Sequence, residues 1–272
     1  EGDPETWRKV QPHLGVTVYE DFYKSEYQKA LYSADDALEF RTKLLNIFAS
    51  NSATTWIEAK QIEERFKKVQ IENITSKPPT MVGVDLSVRD DFSTVTYNLY
   101  SIDSKSFHSY TDYYFPEGAL EKHPNCELYK GWVKAGYLKL CKGDIIDYQQ
   151  IVDDILKKAN NLCIMGIGYD PYKSAEFVNL LSSSVGGEAD IINPVKQTYG
   201  TFTSPVESFE IAVYSNKISF DPNPITPYCF ANAVLDEDRN CNKKPIKKTH
   251  NAKIDSTITN LMTFHLFNNL TS

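Results

Sequence analysis

Three successive runs rich in β-branched and aromatic residues constrain the fold of this chain more than any other feature. Short polar turns separate them, so they predict an antiparallel β-meander. The runs are MVGVDLS (81–87), STVTYNLYSI (93–102) and SFHSYTDYYF (106–115). A nearly all-apolar strand, LCIMGIGYD (162–170), then follows between helix-like segments at 147–161 and 171–184. This order predicts an α/β fold with a mixed β-sheet and helices on both faces.

Residues 1–75 have a different texture and are predicted to be mostly helical. The stretches 34–49 and 56–71 carry apolar residues three and four positions apart, with charges between them. ITSKPPT (74–80) is rich in helix-breaking residues. We therefore predict a domain boundary there, between a helical segment and an α/β domain at 76–272.

Two further helices are predicted in the C-terminal part of the chain. In the first, 204–216, Ser204 would be the N-cap and Pro205 the first helical residue. The second, 253–269, is predicted to be an amphipathic last helix.

Composition excludes several classes of protein. The 272 residues are 41% hydrophobic, which can support a core, but no apolar run is long enough for a membrane span. Five cysteines without a CxxC pair argue against a zinc site or a disulfide framework and favour a reducing cytoplasm. The start lacks an initiator Met and a signal peptide, so we expect a part of a longer chain. A net charge of −7 argues against a broad nucleic-acid-binding face but leaves room for metal-binding acids.

Three aspartates, Asp85, Asp170 and Asp255, each interrupt an apolar element at its end. A lone aspartate there is most often a turn residue or a helix N-cap, and Asp170 and Asp255 could each cap the helix that follows. Carboxylates gathered at strand ends, however, repel one another unless divalent cations neutralise them, and hard oxygen ligands select Mg²⁺ or Mn²⁺. Their joint placement in the strand order of a ribonuclease H-like sheet favours a metal site, in which two ions could cleave a phosphodiester.

A basic run, NKKPIKKTHNAKID (242–255), leads into Asp255. A solvated loop is the ordinary interpretation, but beside a candidate metal site in an acidic chain the run favours a clamp for the DNA phosphate backbone. Asp91 is a possible outer ligand, and His250 could bind metal or carry a proton. The clamp residues would be Lys243, Lys244, Lys247, Lys248 and Lys253.

Five stretches in order resemble the C-terminal nuclease domain of the large terminase subunits of tailed phages or prophages. They are VGVDLSVRDDFS, GWVKAGYLKLCKGDIIDY, IGYDPYKSAEFVNLL, QTYGTFTSPVESFE and NAVLDEDRNCNKKPIKKTHNAKIDSTI, which lie between about residues 80 and 270. Residues 1–75 resemble the connecting region that precedes the nuclease in these proteins.

The resemblance implies a ribonuclease H-like, metal-dependent endonuclease that cuts concatemeric viral DNA during genome packaging. The acidic triad of the family falls on Asp85, Asp170 and Asp255, which would hold the Mg²⁺ or Mn²⁺ ions, two in number. Implied partners are double-stranded DNA, the ATPase domain of the same full-length protein, the small terminase subunit and the portal, in the cytoplasm of the bacterial host and away from membranes. No Walker A motif occurs in this chain, so ATP hydrolysis is not assigned to it.

Two alternatives stay open from the sequence. One is a resolvase or transposase-type enzyme of the same fold, which a preference for branched DNA or a strand-joining activity would reveal. The other is a non-catalytic packaging interaction module, in which the three acids are structural and divalent ions have no effect on the melting temperature.

Overall fold

The computed structural model describes residues 2–10, 14, 19–31, 40, 44, 45, 55–172, 174–185, 190–249 and 251–271. The chain divides into two compact units, Glu1–Thr54 and Thr55–Ser272. In the described ranges, no helix combines the length and the apolar composition that a membrane span requires.

The smaller unit contains helices α1 (Pro4–Val10) and α2 (Glu20–Ala30). Its core gathers Trp7, Tyr23, Phe40 and Leu45, all of them buried. The helix predicted over 34–49 lies, apart from three of its positions, outside the described residues.

The strands at the centre of the larger unit are β1 (Pro79–Asp85), β2 (Ser93–Ser101), β3 (Ser106–Pro116), β4 (Lys139–Cys141), β5 (Cys163–Tyr169), β6 (Ile192–Pro194) and β7 (Ile218–Phe220). They form a seven-stranded mixed sheet in the order β4-β3-β2-β1-β5-β6, with β7 also pairing with β3. Strands β1, β2 and β3 pair antiparallel, which confirms the predicted meander, and β5 runs parallel to β1.

Helices cover both faces of this sheet. The helices of the larger unit are α3 (Ala59–Glu63), α4 (Glu117–Leu120), α5 (Cys126–Lys134), α6 (Tyr148–Ala159), α7 (Ala175–Val185), α8 (Tyr199–Tyr214), α9 (Ile225–Ala231) and α10 (Asp255–Thr271). One face of the sheet packs on α6 and α7, and the other packs on α8 and α10. A separate antiparallel hairpin, β8 (Ala233–Glu237) and β9 (Lys243–Lys247), leads towards α10.

Helix α10 is central and largely buried on all sides, so the prediction that it is amphipathic is wrong. From Asp255 to Thr263 even its polar side chains are buried, and polar groups on the sheet face several of them. Asn98 donates to the Thr263 hydroxyl at 3.0 Å, and Ser109 donates to the Asn260 side chain at 2.7 Å. The strand backbone comes very close to the helix at Gly83, where a Cβ atom would lie 2.2 Å from the Thr259 carbonyl oxygen. This contact fixes the start of α10 against β1.

The helix predicted over 56–71 is wrong beyond the short α3. After α3 the chain runs beside β7 instead: the Lys67 N–H donates to the Phe220 carbonyl at 2.8 Å, and Phe66 and Phe220 form an isolated β-bridge. Trp56, Ile57 and Ile62 are buried in the core of the larger unit. The two units therefore divide between residues 54 and 55, rather than near residue 75.

Helix α8 starts earlier than predicted. It begins at Tyr199, and its N-cap is Thr198, whose hydroxyl accepts the Thr201 N–H at 3.2 Å. Pro205 therefore lies inside the helix, where its missing N–H cannot bond to the carbonyl of Thr201 four residues earlier. Burial lowers the pKa of the His265 ring in α10, and the main chain of Thr201, which lies near it, acts in the opposite direction. This contact ties α8 to α10.

Candidate active site

The sheet brings Asp85 and Asp170 to the same edge. Val84 of β1 pairs with Tyr169 of the parallel strand β5, so the next residue on each strand is one of these aspartates. Neighbouring strands lie about 4.8 Å apart, and the carboxyl ends of parallel strands share one edge of a sheet. Asp255 is the first residue of α10, which packs against β1.

The electrostatics of the acids show that they act on one another. Burial, followed by the charges of Asp170 and Asp91, raises the pKa of Asp85 to about 7 from its ordinary value of 3.8. Burial, followed by Asp91 and Asp85, raises the pKa of Asp255 well above its ordinary range. The ammonium group of Lys247 acts in the opposite direction on both carboxyls. Like charges held together in this way are a common property of cation-binding sites.

A cavity of about 250 Å³ lies among these residues and is lined by Asp85, Asp91 and Asp255. Asp255 is only 6% exposed, and its Oδ2 atom has no hydrogen-bond partner among the residues that the structure describes. A buried carboxylate oxygen without a donor is costly. Carboxylate oxygens are hard ligands, which fit Mg²⁺ or Mn²⁺ rather than a softer metal.

Asp170 is held differently from the other two acids. Its Oδ1 atom accepts the Tyr172 N–H at 2.9 Å, and its Oδ2 atom accepts Nε2 of Gln197 at 2.7 Å. The hydroxyl of Ser174 donates to its main-chain carbonyl. Helix α7 starts only at residue 175, so Asp170 is a turn residue rather than the helix cap that the sequence also allowed.

Gln197 is a site residue that the sequence analysis missed. It lines the cavity and orients the Asp170 carboxylate. Its position contains the signal that could have found it, because it follows β6, the parallel neighbour of β5, at the same edge of the sheet.

The acids share one edge without forming a ready coordination group. Within the described parts of the chain, no set of three or more His, Cys, Asp and Glu side chains has a metal-holding arrangement. Asp170 is already engaged by Gln197 and Tyr172, whereas Asp85 and Asp255 both line the cavity.

Asp91 lies between two lysines of the basic run. Lys247 Nζ is 2.8 Å from its Oδ2 atom, and Lys253 Nζ is 2.8 Å from its Oδ1 atom. Although burial raises the pKa of Asp91, the hydrogen bonds from Lys247 and Lys253 bring it below its ordinary value. Lys253 is itself buried and also donates to the Asp90 carbonyl at 2.9 Å.

The other lysines of the predicted clamp lie along or just after the hairpin. Lys244 places its ammonium 4.8 Å from the ring centroid of Tyr199, and Lys248 is exposed. The main-chain N–H of Lys243 donates to Thr203. Only Lys247 and Lys253 of the clamp therefore reach the acids, and His250 lies outside the described residues.

The chain matches a known protein family over nearly its whole length. The model of the family "Terminase large subunit, endonuclease domain" matches residues 1–269. This chain belongs to that family. The resemblance to terminase nucleases predicted from the sequence is confirmed, and so is the ribonuclease H-like mixed sheet.

Individual relatives of this terminase endonuclease domain agree with the family match. Protein YmfN of Escherichia coli K12 is 28% identical over 276 residues, which cover 96% of this chain and 58% of that protein. The crystal structure of the HK97 bacteriophage large terminase matches with a TM-score of 0.69 at 19% identity, covering 97% of this chain and 54% of that one. This terminase domain thus spans a little over half the length of both.

A solved nuclease structure matches about four-fifths of this chain. The large terminase nuclease from thermophilic phage G20c matches with a TM-score of 0.50 at 8% identity, covering 79% of this chain and 98% of that one. At these identities, the structural matches establish the fold of the terminase domain and not the roles of its residues.

Proposed function

We propose that this terminase domain hydrolyses phosphodiester bonds of double-stranded DNA with Mg²⁺ or Mn²⁺ bound by Asp85, Asp170 and Asp255. In the full-length protein, this activity would cut concatemeric viral DNA during genome packaging. The proposal is carried by one observation: burial, together with the charges of neighbouring carboxylates, raises the pKa of Asp85 and of Asp255. The parallel pairing of β1 and β5 supports it, because it brings Asp170 to the same edge of the sheet as Asp85.

Each acid has a distinct part in the proposal. Asp85 and Asp170, on neighbouring strands, would hold the ions, and Asp255 would complete the site from the start of α10. Divalent ions, when bound, would lower the pKa of a coordinated water and neutralise charge on the phosphate. Gln197 keeps the Asp170 carboxylate in one orientation through its 2.7 Å hydrogen bond. Two ions remain the prediction.

The chain spans little more than half of the length of its relatives. The partners and the cellular location of the whole protein therefore belong to the same proposal. We expect an ATPase domain in the same protein, and the small terminase subunit and the portal as further partners in the host cytoplasm. We expect cutting with little sequence preference, because phosphate contacts alone do not read bases.

The experiment is a nicking assay on supercoiled plasmid with Mn²⁺, with Mg²⁺ and with EDTA. The wild type should nick in either metal and not in EDTA, and Asp85→Asn should abolish nicking. Asp103→Asn is the matched control, because Asp103 is exposed in the β2–β3 turn at the far end of β2. Equal nicking by the two variants would refute the assignment.

A second readout of the same variants separates metal binding from catalysis. Mn²⁺ should raise the melting temperature of the wild type and of Asp103→Asn, because a ligand that binds only the folded state stabilises it. Asp85→Asn should lose most of this rise. A full rise in Asp85→Asn would place the metal elsewhere.

A further inference from the structure

A second, larger groove, of about 690 Å³, opens beside the acidic cavity. Asp91 and Lys247 line both spaces, so the groove leads directly to the acids. Its other walls come from the β1–β2 loop, from the segment between α4 and α5, and from the residues just before α10.

The groove is basic although the chain as a whole carries a net charge of −7. Four cationic side chains line it against two carboxylates, those of Asp90 and Asp91. Two of the cations, Lys247 and Lys253, are paired with Asp91. The other two, Arg89 and Lys122, are exposed and form no ion pair with any residue that the structure describes. They are therefore available to an anionic ligand.

Neutral donors complete this surface. The groove reaches the start of α5, where Asn125 is the N-cap and makes no side-chain capping bond. The positive end of a helix favours anions. His123 also lines the groove, and its Nδ1 atom accepts the Asn125 N–H at 3.1 Å. The neutral ring therefore carries its proton on Nε2, which is a further donor.

We infer that this groove binds the sugar-phosphate backbone of the DNA next to the bond that is cut, with Arg89 and Lys122 as its phosphate-contacting residues. The inference rests on the proposed function and deepens it, since it names the surface that positions the substrate. It also moves the clamp away from Lys243, Lys244 and Lys248, which lie along or just after the hairpin. Arg89 suits this task, because its guanidinium can contact a phosphate through two hydrogen bonds.

The test measures binding of a fluorescent DNA duplex by anisotropy in EDTA, where no cutting occurs, over a series of salt concentrations. The double variant Arg89→Gln/Lys122→Gln should bind about ten-fold more weakly, and its slope of log K against log salt should be shallower by about one to two. The loss should be the same on two duplexes of unrelated sequence. Lys134→Gln is the control, because Lys134 is exposed at the opposite end of α5, away from the groove.

Wild-type affinity and salt slope in the double variant would overturn the inference, as would a wild-type protein that does not bind duplex at low salt. Plasmid nicking by the wild type, measured in parallel, separates the two proposals. If the wild type nicks plasmid and the double variant binds DNA normally, the proposed role of the groove is wrong and the proposed nuclease activity is supported. If the wild type does not nick plasmid in either metal but DNA binding depends on Arg89 and Lys122, the proposed nuclease activity is wrong and the proposed role of the groove is supported.

Discussion

At the residue scale, Asp85 and Asp255 are held where their negative charge is disfavoured. Burial and neighbouring carboxylates raise the pKa of both groups, and Lys247 offsets only part of this effect. The repulsion costs folding free energy above the ordinary pKa of an aspartate. A bound divalent cation would remove that cost, which links metal binding to stability.

The pH dependence of the free energy of unfolding should report this unfavourable burial and repulsion of the two carboxylates. The pKa of Asp85 is about 7 in the folded protein against an ordinary value of 3.8. Between these values the folded state holds a proton that the unfolded state releases, so the stabilising contribution is complete below about pH 4 and is lost as the pH rises through about 7. The loss is on the order of 4 kcal/mol as an upper bound. Urea denaturation in EDTA from pH 4 to 8 measures it.

Asp85→Asn is the control for this prediction. The variant lacks the titrating group, so its stability should fall less than that of the wild type between pH 4 and 7. Asp255 shifts in the same direction and remains in the variant, so part of the fall should persist. Parallel curves for the two proteins would contradict the prediction.

The lysines of the basic run should differ sharply in their effect on stability. Lys253 is buried, and its ammonium bonds Asp91 and the Asp90 carbonyl. Lys253→Ala therefore leaves the half-buried carboxylate of Asp91 with one donor fewer and creates a gap where the lysine was. We expect a loss of about 3 kcal/mol in the free energy of unfolding. Lys248 is exposed, and Lys248→Ala should change stability by less than about 0.5 kcal/mol. Equal effects of the two substitutions in urea denaturation would show that Lys253 is not a structural residue.

At the scale of elements, the contact between β1 and α10 decides where Asp255 lies. Gly83 allows that contact, because an added Cβ would lie 2.2 Å from the backbone carbonyl of Thr259. Since backbone cannot move aside as a flexible side chain can, Gly83→Ala should destabilise the domain by more than about 3 kcal/mol. It should also impair metal binding, since α10 carries Asp255.

Gly131→Ala is the matched control for that substitution. Gly131 lies within α5, and nothing lies within 4 Å of an added Cβ. Alanine has the better helix propensity, so this variant should be more stable by about 0.5 to 1 kcal/mol. Thermal melting of both variants checks the pair, and a tolerated Gly83→Ala would contradict the close packing of β1 on α10.

The elements also show which parts of the fold a sequence can predict. The strands β1 to β3 and β5 were predictable because β-branched and aromatic runs with turns between them are a local signal. Because parallel strands end at the same edge of a sheet, those strands also predict that Asp85 and Asp170 share one edge. The third acid was predictable only as a helix start, because its contact with β1 depends on tertiary packing.

Other elements depend on partners that are distant in the chain. The extended course after α3 comes from pairing with Phe220, and the burial of polar α10 comes from sheet residues such as Asn98 and Ser109. Hydrophobic periodicity reports local structure, so it does not reveal which residues pair when they are far apart in the sequence. The position of Gln197 after β6 was a usable signal, but its hydrogen bond to Asp170, which lies 27 residues earlier, was not predictable for the same reason.

At the scale of the whole molecule, the division between the two units has a testable consequence. A chain starting at residue 55 keeps Trp56, Ile57 and Ile62 in the core of the larger unit, and Trp56 Nε1 donates to Glu210 at 2.7 Å. A chain starting at residue 76 loses all of these contacts. We expect residues 55–272 to unfold cooperatively and residues 76–272 to be destabilised by several kcal/mol or to aggregate.

Scanning calorimetry and limited proteolysis of the two truncated proteins check this expectation. The longer one should show a sharp transition and resist cleavage within the sheet. Equal stability of the shorter protein would instead support a boundary between the two units near residue 75.

The central claim, that Asp85, Asp170 and Asp255 hold divalent ions together, is tested most directly by anomalous diffraction from crystals soaked in Mn²⁺. The account predicts anomalous peaks at the edge of the sheet, with carboxylate oxygens of these aspartates about 2.1 Å away. Peaks confined to other parts of the molecule, or none at a concentration that supports nicking, would contradict it.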